Sequence, residues 1–167
     1  MKLHIVLCEP QIPQNTGNIS RTCAVTGASL HLIGPYGFTI TDKALKRAGL
    51  DYWDKLDITE YPDLATFLAQ HSGDRIFFAT TKSRLCHSDV IYPTQEDVYL
   101  MFGREDAGLP ESLLAAHPDS CIRIPMRPTL RSLNLSNSVA IAAYEVLRQW
   151  GYPGLTAEGN LTEFAWE

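Results

Sequence analysis

The chain contains one stretch, Ile124-Pro-Met-Arg-Pro-Thr-Leu-Arg-Ser-Leu-Asn-Leu-Ser-Asn-Ser-Val-Ala-Ile-Ala-Ala-Tyr-Glu145, that joins a strand end, a polar loop and an apolar helix. We predict a short strand over residues 121–124. Pro125 and Pro128 then prevent a helix from beginning directly after the strand. The loop over residues 129–134 then carries the chain to the start of the helix.

The helix is predicted to begin where Ser136 or Asn137 can accept hydrogen bonds from the first free backbone N–H groups. Apolar residues recur on one of its faces: Val139, Ala143, Val146 and Trp150. A capped core helix would account for this pattern. The long polar loop before it, with Arg127 and Arg131, favours a binding loop instead.

In the rest of the chain, short apolar runs without polar alternation are separated by segments with helical periodicity. We predict strands over residues 3–8, 29–33, 52–58, 75–80, 98–102 and 121–124. We predict helices over residues 17–25, 42–48, 62–71 and 110–116, with Asn15 or Thr16 capping the first of them. This alternation is typical of an α/β fold with a mostly parallel sheet and helices on both faces.

Length and composition place limits on the class of protein. A chain of 167 residues with 45% hydrophobic residues fits one domain, predicted over residues 1–154, with a loose tail over 155–167. The net charge of −5 argues against a non-specific nucleic-acid coat protein. Four scattered cysteines predict neither a zinc site nor a disulfide framework, and they favour the reducing cytoplasm. We find no signal peptide or membrane span.

Ligands of such sheets bind beyond the carboxyl ends of the strands, here the loops after Cys8, Thr80, Phe102 and Ile124. The segment 103–110 follows a strand and precedes a helix, which an ordinary turn would explain. A glycine at the strand end also lets a ligand meet the backbone. The segment lacks the glycine patterns of dinucleotide and phosphate-binding loops, so hydrolysis of nucleoside triphosphates is disfavoured.

Charged residues near two helices leave alternatives open. Arg21 lies about one turn into a helix, where it suits a phosphate, or it pairs with a carboxylate such as Glu9. Glu105 and Asp106 suit acid–base chemistry or the dipole of the next helix. A cluster of cations and aromatics suits RNA or an ordinary charged surface equally: Lys43, Lys46, Arg47, Tyr52, Trp53 and Lys55. The five histidines show no metal-ligand spacing, and we expect them to be structural or solvated.

Three segments together resemble the motifs of the SPOUT RNA methyltransferases, in the same order. They are Pro10-Gln-Ile-Pro-Gln-Asn-Thr-Gly-Asn-Ile-Ser-Arg21, Met101-Phe-Gly-Arg-Glu-Asp-Ala-Gly-Leu-Pro110, and Ile122-Arg-Ile-Pro-Met126 with Ser132-Leu-Asn-Leu-Ser-Asn-Ser-Val139. The minimal length, Arg47-Ala-Gly-Leu-Asp-Tyr52 and Gly151-Tyr-Pro-Gly154 resemble the branch that methylates the 2′-oxygen of the tRNA wobble nucleotide, cytidine or modified uridine.

The resemblance implies a fold with a C-terminal trefoil knot, a homodimer and S-adenosylmethionine as methyl donor. Carried over by motif, the cofactor contacts fall on Ala79, Thr80, Gly103, Glu105, Gly108, Ile124, Met126, Ser132, Leu133 and Asn137. Leucine is frequent in the family where this chain has Ala79, so that contact is expected through the backbone.

The resemblance also implies a catalytic arginine, here Arg21. We expect it to hold a substrate phosphate, because a guanidinium hardly deprotonates. Asn15, Ser132, Asn134 and Tyr144 would orient the ribose and RNA. The tRNA anticodon stem-loop would meet cations pooled from two subunits: Lys43, Lys46, Arg47 and Lys55, with Tyr52, from one, and Arg127 and Arg131 from the other. Two alternatives stay open. The protein could methylate another RNA such as rRNA, or it could bind RNA or a nucleotide without catalysis.

Overall fold

The computed structural model describes residues 1–40 and 56–166, and its centre is a sheet of parallel strands. The strands are β1 (Leu3–Cys8), β2 (Ser29–Ile33), β3 (Ile58–Tyr61), β4 (Arg75–Ala79), β5 (Val98–Phe102) and β6 (Cys121–Ile122). Their order across the sheet is β3-β2-β1-β5-β4-β6, and each described neighbouring pair is parallel. The α/β class with a mostly parallel sheet is thereby confirmed.

Helices cover both faces of this sheet. They are α1 (Pro13–Thr26), α2 (Leu64–Gln70), α3 (Glu111–Ala116) and α4 (Leu135–Gln149), with a 3₁₀ turn at Pro118–Ser120. α1 and α4 pack on the face that carries Ile5 and Leu7. α2 and α3 pack on the opposite face, beside Val6 and Cys8. β1, β2 and β5 are buried throughout, and most of their residues are apolar, as the sequence pattern predicts; the buried polar residues are His4, Ser29 and His31.

The first helix begins earlier than predicted. α1 starts at Pro13 rather than near Gly17, and Asn15 and Thr16 lie buried within it instead of capping it. Proline is favoured in the first helical turn, where its missing N–H group would have no helical partner. The predicted start near Gly17 and the predicted caps were therefore wrong.

Other boundaries shift for similar local reasons. β3 covers Ile58–Tyr61, so it extends past the end of the strand predicted over 52–58, of which residues 52–55 lie outside the described part. α2 begins after Asp63, whose carboxylate accepts the backbone N–H of Thr66. The final helix is capped by Asn134, not by Ser136 or Asn137. The predicted helix over residues 42–48 lies outside the described residues.

Three histidines form part of a buried polar network on the α2 side of the sheet. Hydrogen bonds of 2.9 Å connect, in order, His4, His31, Tyr61 and His71, and His71 ends on Asp74 at 2.6 Å. Burial lowers the pKa of His31 to about 4. These histidines are structural, as expected, whereas His117 is exposed on the surface.

The described part of the tail, residues 155–166, contains no helix or strand, and Leu155 packs against the core. None of the helices in the described parts of the chain is long and apolar enough to cross a bilayer. The trefoil knot and the division into a domain and a loose tail stay predictions.

Candidate active site

A cavity of about 820 Å³ opens at the carboxyl ends of β4, β5 and β6, where the sequence places its candidate loops. Its floor is apolar and includes Phe102, Ile122 and Ala142. Its rim is polar and includes Thr80, Ser132 and Asn134. An apolar site with a few placed polar groups is typical of a small-molecule pocket, for which volumes of roughly 300–1,000 Å³ are common.

One wall of the cavity is a tight turn after β5. The N–H of Gly108 donates to the carbonyl of Arg104 over 2.9 Å, which closes the turn back on itself. A Cβ at Gly103 would lie 2.1 Å from the carbonyl carbon of Gly108, so only glycine fits there. Gly108 adopts a φ of +72°, a left-handed conformation that glycine favours. The two glycines therefore bring bare backbone to the cavity.

The carboxylate of Glu105 connects this turn to the start of α1. Its Oε2 accepts the backbone N–H of Gln11 over 2.9 Å, and its Oε1 accepts the N–H of Ile12 over 3.1 Å. Oε1 also accepts from Nδ2 of Asn15 over 3.2 Å. Glu105 therefore lines the cavity while its oxygens are occupied by protein donors.

A second link joins α1 to the loop before α4. Nδ2 of Asn134 donates to Oδ1 of Asn15 over 3.0 Å. Oδ1 of Asn134 accepts the N–H groups of Ser136 and Asn137, which caps α4. The three predicted motifs thus meet in one chain of hydrogen bonds that runs from Glu105 through Asn15 to Asn134.

The cavity brings together most of the residues predicted to contact the cofactor. Those that line it are Ala79, Thr80, Gly103, Glu105, Gly108, Ile124, Met126, Ser132 and Leu133. Asn137 differs from that prediction: it is exposed, it is absent from the cavity wall, and its backbone serves the cap of α4. The helix begins at Leu135, so Asn137 lies in its first turn rather than in the loop before it.

The other predicted residues lie in three places. Asn15, Asn134 and Arg131 line the cavity, and Arg131 was predicted to bind RNA rather than the cofactor. Arg21 and Tyr144 are exposed on α1 and α4 and do not line the cavity, and Arg127 is exposed in the loop. Lys43, Lys46, Arg47, Tyr52 and Lys55 lie outside the described residues.

The sequence analysis included the loop after β4 among its candidate loops but did not single out Thr81 and Lys82, which line the cavity. This loop runs beside the end of β6, because the N–H of Arg123 donates to the carbonyl of Leu85 over 2.9 Å. Among residues 1–40 and 56–166, no carboxylate lies within ion-pairing distance of Arg84, Arg123, Arg127 or Arg131. Arg84 lies five residues after the end of β4, and a cation near a strand end could have indicated from sequence that this loop belongs to the site.

Comparison with known proteins agrees with this geometry. The family model described as the SpoU rRNA Methylase family matches residues 2–144, which include all three motifs. The chain belongs to the SpoU rRNA methylase family. That membership confirms the resemblance stated from the motifs.

Members of the SpoU family resemble this chain in sequence and in structure. The tRNA (cytidine(34)-2′-O)-methyltransferase of Escherichia coli K12 is 53% identical over 153 residues, covering 91% of this chain and 96% of that protein. A solved structure described as giving insight into 2-OH methylation of C/U34 on tRNA is 44% identical, with a TM-score of 0.84, and the match covers 90% of this chain and 97% of that one.

The fold extends to more distant proteins. An AdoMet-bound rRNA methyltransferase from Sinorhizobium meliloti is 24% identical, with a TM-score of 0.79, over 88% of this chain and 56% of that one. At that identity the likeness shows the fold alone.

Proposed function

We propose that this protein transfers a methyl group from S-adenosylmethionine to the 2′-oxygen of the wobble nucleotide, cytidine or modified uridine, of a tRNA anticodon. The observation that carries the proposal is the cavity of about 820 Å³ formed where the three SpoU motifs meet. Support comes from the 53% identical tRNA (cytidine(34)-2′-O)-methyltransferase of E. coli, which the chain matches over nearly its whole length. We place the reaction in the cytoplasm.

The cavity suits S-adenosylmethionine in size and in chemistry. Its floor of Ala79, Phe102 and Ile122 suits an adenine ring, and the bare backbone at Gly103 and Gly108 offers amide and carbonyl groups at close range. The bound donor would supply a methyl group activated by a sulfonium. The chain's own residues must then hold the nucleotide and handle its proton.

We assign to Arg21 the binding of a phosphate of the RNA substrate. Arg21 lies on α1, the helix whose start is tied to the cavity wall by Glu105. A guanidinium suits a phosphate oxygen because it offers several donors in a fixed plane. A held phosphate fixes the ribose, and positioning can supply roughly 7–11 kcal/mol of the lowering of the barrier. A phosphate oxygen or water would take the proton of the 2′-hydroxyl.

Asn15 and Asn134 act as positioning residues in this scheme, which refines the prediction that they orient the ribose. Each side chain already makes hydrogen bonds within the protein, to one another and to Glu105 or the start of α4. These hydrogen bonds hold α1 in a fixed position relative to the cavity wall. Ser132 on the rim and Tyr144 on α4 keep the proposed role of orienting RNA.

Cations beside the cavity would bind the RNA backbone. Arg84, Arg123, Arg127 and Arg131 come from two adjoining loops and lack acid partners among the described residues. Nη1 of Arg123 donates to the carbonyl of Thr81 over 2.6 Å, but none of the four is neutralised by a described carboxylate. Such cations can bind phosphates, and phosphate contacts release counterions. The affinity for tRNA should therefore fall steeply as salt rises, even though the chain carries a net charge of −5.

A homodimer completes the proposal. Exposed apolar side chains lie on the two helices that pack together on one face of the sheet: Val25 on α1 and Ile141 on α4. A second copy would cover them, because exposed apolar patches mark interaction surfaces. Sedimentation equilibrium should give a dimer for the wild type and a monomer for Ile141→Asp. A wild-type monomer would refute this part.

The test of function is transfer of tritium from methyl-labelled S-adenosylmethionine to tRNA transcripts. A matched transcript carries a 2′-deoxynucleotide at the wobble position, so that the proposed acceptor oxygen alone is removed. We expect labelling of the first transcript and none of the second. Equal labelling of both would place the methyl group elsewhere. Labelling of rRNA alone would favour the rRNA alternative, and binding of tRNA without any labelling would favour the non-catalytic module.

A further inference from the structure

A second cavity, of about 270 Å³, lies on the other side of the turn that walls the cofactor site. The two cavities share Lys82 and four residues of this turn in their walls, Arg104, Ala107, Gly108 and Leu109, so they are direct neighbours. The second cavity lies on the sheet face covered by α2 and α3, since Cys8 and Leu109 belong to the core on that face. It is smaller than a typical ligand pocket and has room for one ring system.

The wall of this cavity combines an apolar floor with two ion pairs, Glu9 with Arg104 and Lys82 with Glu111. Cys8, Leu109 and Pro110 form the apolar part. Burial raises the pKa of the Cys8 thiol to about 12, so the floor carries no charge. On the rim, Nη1 of Arg104 lies 3.6 Å from Oε2 of Glu9. A carboxylate acceptor and a guanidinium donor therefore stand side by side above an apolar floor.

Both charged groups are held in place. Asp106 accepts from Nε and Nη2 of Arg104, each over 2.9 Å, which fixes the guanidinium plane and leaves Nη1 toward Glu9. The backbone of Glu9 has a φ of +51°, uncommon for a residue with a side chain, and its N–H donates to the carbonyl of Ile33 over 2.8 Å. Left-handed backbone of this kind is costly and concentrates at functional sites.

We propose that this cavity receives the base of the target nucleotide and that Glu9 and Arg104 select cytosine. The inference rests on the proposed function. A base is attached directly to the ribose, so its pocket must border the site of methyl transfer, and this cavity does. Enzymes that do chemistry on a base take it out of the stack into such a pocket, and we extend this to a nucleotide whose ribose is methylated.

The donor and acceptor pattern matches the edge of cytosine. Its amino group donates, as a carboxylate requires, and glutamate pairs with this group in known recognition of cytosine. Its neighbouring ring nitrogen accepts, as Nη1 of Arg104 requires. Uracil presents an oxygen where cytosine presents the amino group, and that oxygen would face the carboxylate of Glu9. Glu9 therefore sets the preference between the two pyrimidines.

The test compares kcat/KM for two tRNA transcripts that differ only in cytidine or uridine at the wobble position. Wild-type protein should prefer cytidine. Glu9→Gln should lower kcat/KM for cytidine by about fivefold or more and change uridine less, because it replaces the acceptor with a mixed donor and acceptor. The control is Glu96→Gln, whose carboxylate pairs with Arg75 over 3.4 Å just before β5. That variant should keep the wild-type ratio.

A wild-type measurement keeps the inference testable if Glu9→Gln fails to fold. A transcript with pyrimidin-2-one at the wobble position lacks only the amino group and should lose a similar factor with wild-type protein. An unchanged ratio in Glu9→Gln, or full activity on the pyrimidinone transcript, would overturn the base pocket while leaving methyl transfer intact. Absence of any transfer by wild-type protein would overturn the proposed function itself, and the inference with it.

Discussion

Nδ2 of Asn134 donates a hydrogen bond to Oδ1 of Asn15 over 3.0 Å, across 119 residues of sequence. The contact ties the loop before α4 to the first turn of α1, and Glu105 extends the tie to the turn after β5. Three segments of the cavity wall, the turn after β5, the first turn of α1 and the loop before α4, are therefore joined by hydrogen bonds among three side chains. Stability and catalysis should both depend on these hydrogen bonds.

Asn134→Asp tests this link apart from the helix cap. Aspartate caps helices about as well as asparagine, so the free energy of unfolding should change little. It cannot donate to Asn15, and its carboxylate would face the Asn15 oxygen. We expect kcat/KM for tRNA methylation to fall at least about tenfold. Asn134→Ala, which also removes the cap, should lose a further ~1 kcal/mol or so of stability. Thermal melts and rates on both variants would check this.

Glu105→Gln tests the carboxylate that accepts three hydrogen bonds. The amide has the same shape but places a donor where Glu105 now accepts, so one protein N–H group would lose its partner. We expect a loss of about 1–3 kcal/mol in the free energy of unfolding, together with weaker binding of S-adenosylmethionine. Glu158→Gln in the exposed tail is the matched control. Equal melting temperatures for the two variants would contradict the structural role of Glu105.

Gly103→Ala tests the close approach of the two ends of the turn. A methyl group at this position would lie 2.1 Å from backbone atoms that cannot move aside, so the turn must open. We expect calorimetry to show loss of binding to S-adenosylmethionine and a clear drop in melting temperature. Gly73→Ala has nothing within 4 Å of the new methyl group, and it should behave like wild type. Cofactor binding by Gly103→Ala would mean that this backbone does not shape the site.

Arg21→Ala separates the binding of substrate from the binding of cofactor. Because Arg21 does not line the cavity, affinity for S-adenosylmethionine should survive. Methylation should be abolished, since the phosphate grip is gone. Arg21→Lys keeps the charge but not the planar fork of donors, so partial activity is expected. Near wild-type methylation by Arg21→Ala would show that another residue holds the nucleotide.

The lowered pKa of a buried histidine makes the free energy of unfolding depend on pH. His31 has a folded-state pKa of about 4, below the ~6.5 of an unfolded histidine, so the unfolded chain binds more protons between those values. Its contribution to stability is fully present above about pH 6.5 and is lost as pH falls toward 4. Each such histidine can add a slope of at most about 1.4 kcal/mol per pH unit. Chemical denaturation from pH 7 to 4 measures this slope. His31→Gln should flatten it and the exposed His117→Gln should not.

The sheet was predictable because burial on both faces leaves a local trace. β1, β2 and β5 are mostly apolar runs, and their predicted limits match the structure. The start of α1 was missed because Pro13 permits a helix start as readily as it blocks a helix interior. The cap of α4 was missed because Asn134, Ser136 and Asn137 are chemically similar candidates, and tertiary contact with Asn15 selects the first of them.

The site was only partly predictable. Residues next to strand ends, such as Gly103 and Ile124, could be placed from the topology rule. The contact of Glu105 with Gln11, Ile12 and Asn15 spans about ninety residues, and no local pattern encodes it. The cavity beside Glu9 has no sequence signature either, because it forms only where the ends of β1 and β5 lie side by side.

The most direct test of the account is to map the methyl group itself. Purified protein is incubated with S-adenosylmethionine and unmodified tRNA, and the tRNA is then digested and its fragments analysed by mass spectrometry. The account predicts one added methyl group, on the ribose of the wobble nucleotide. A methyl group on a base or at another position, or no methyl group on any tRNA, would contradict it.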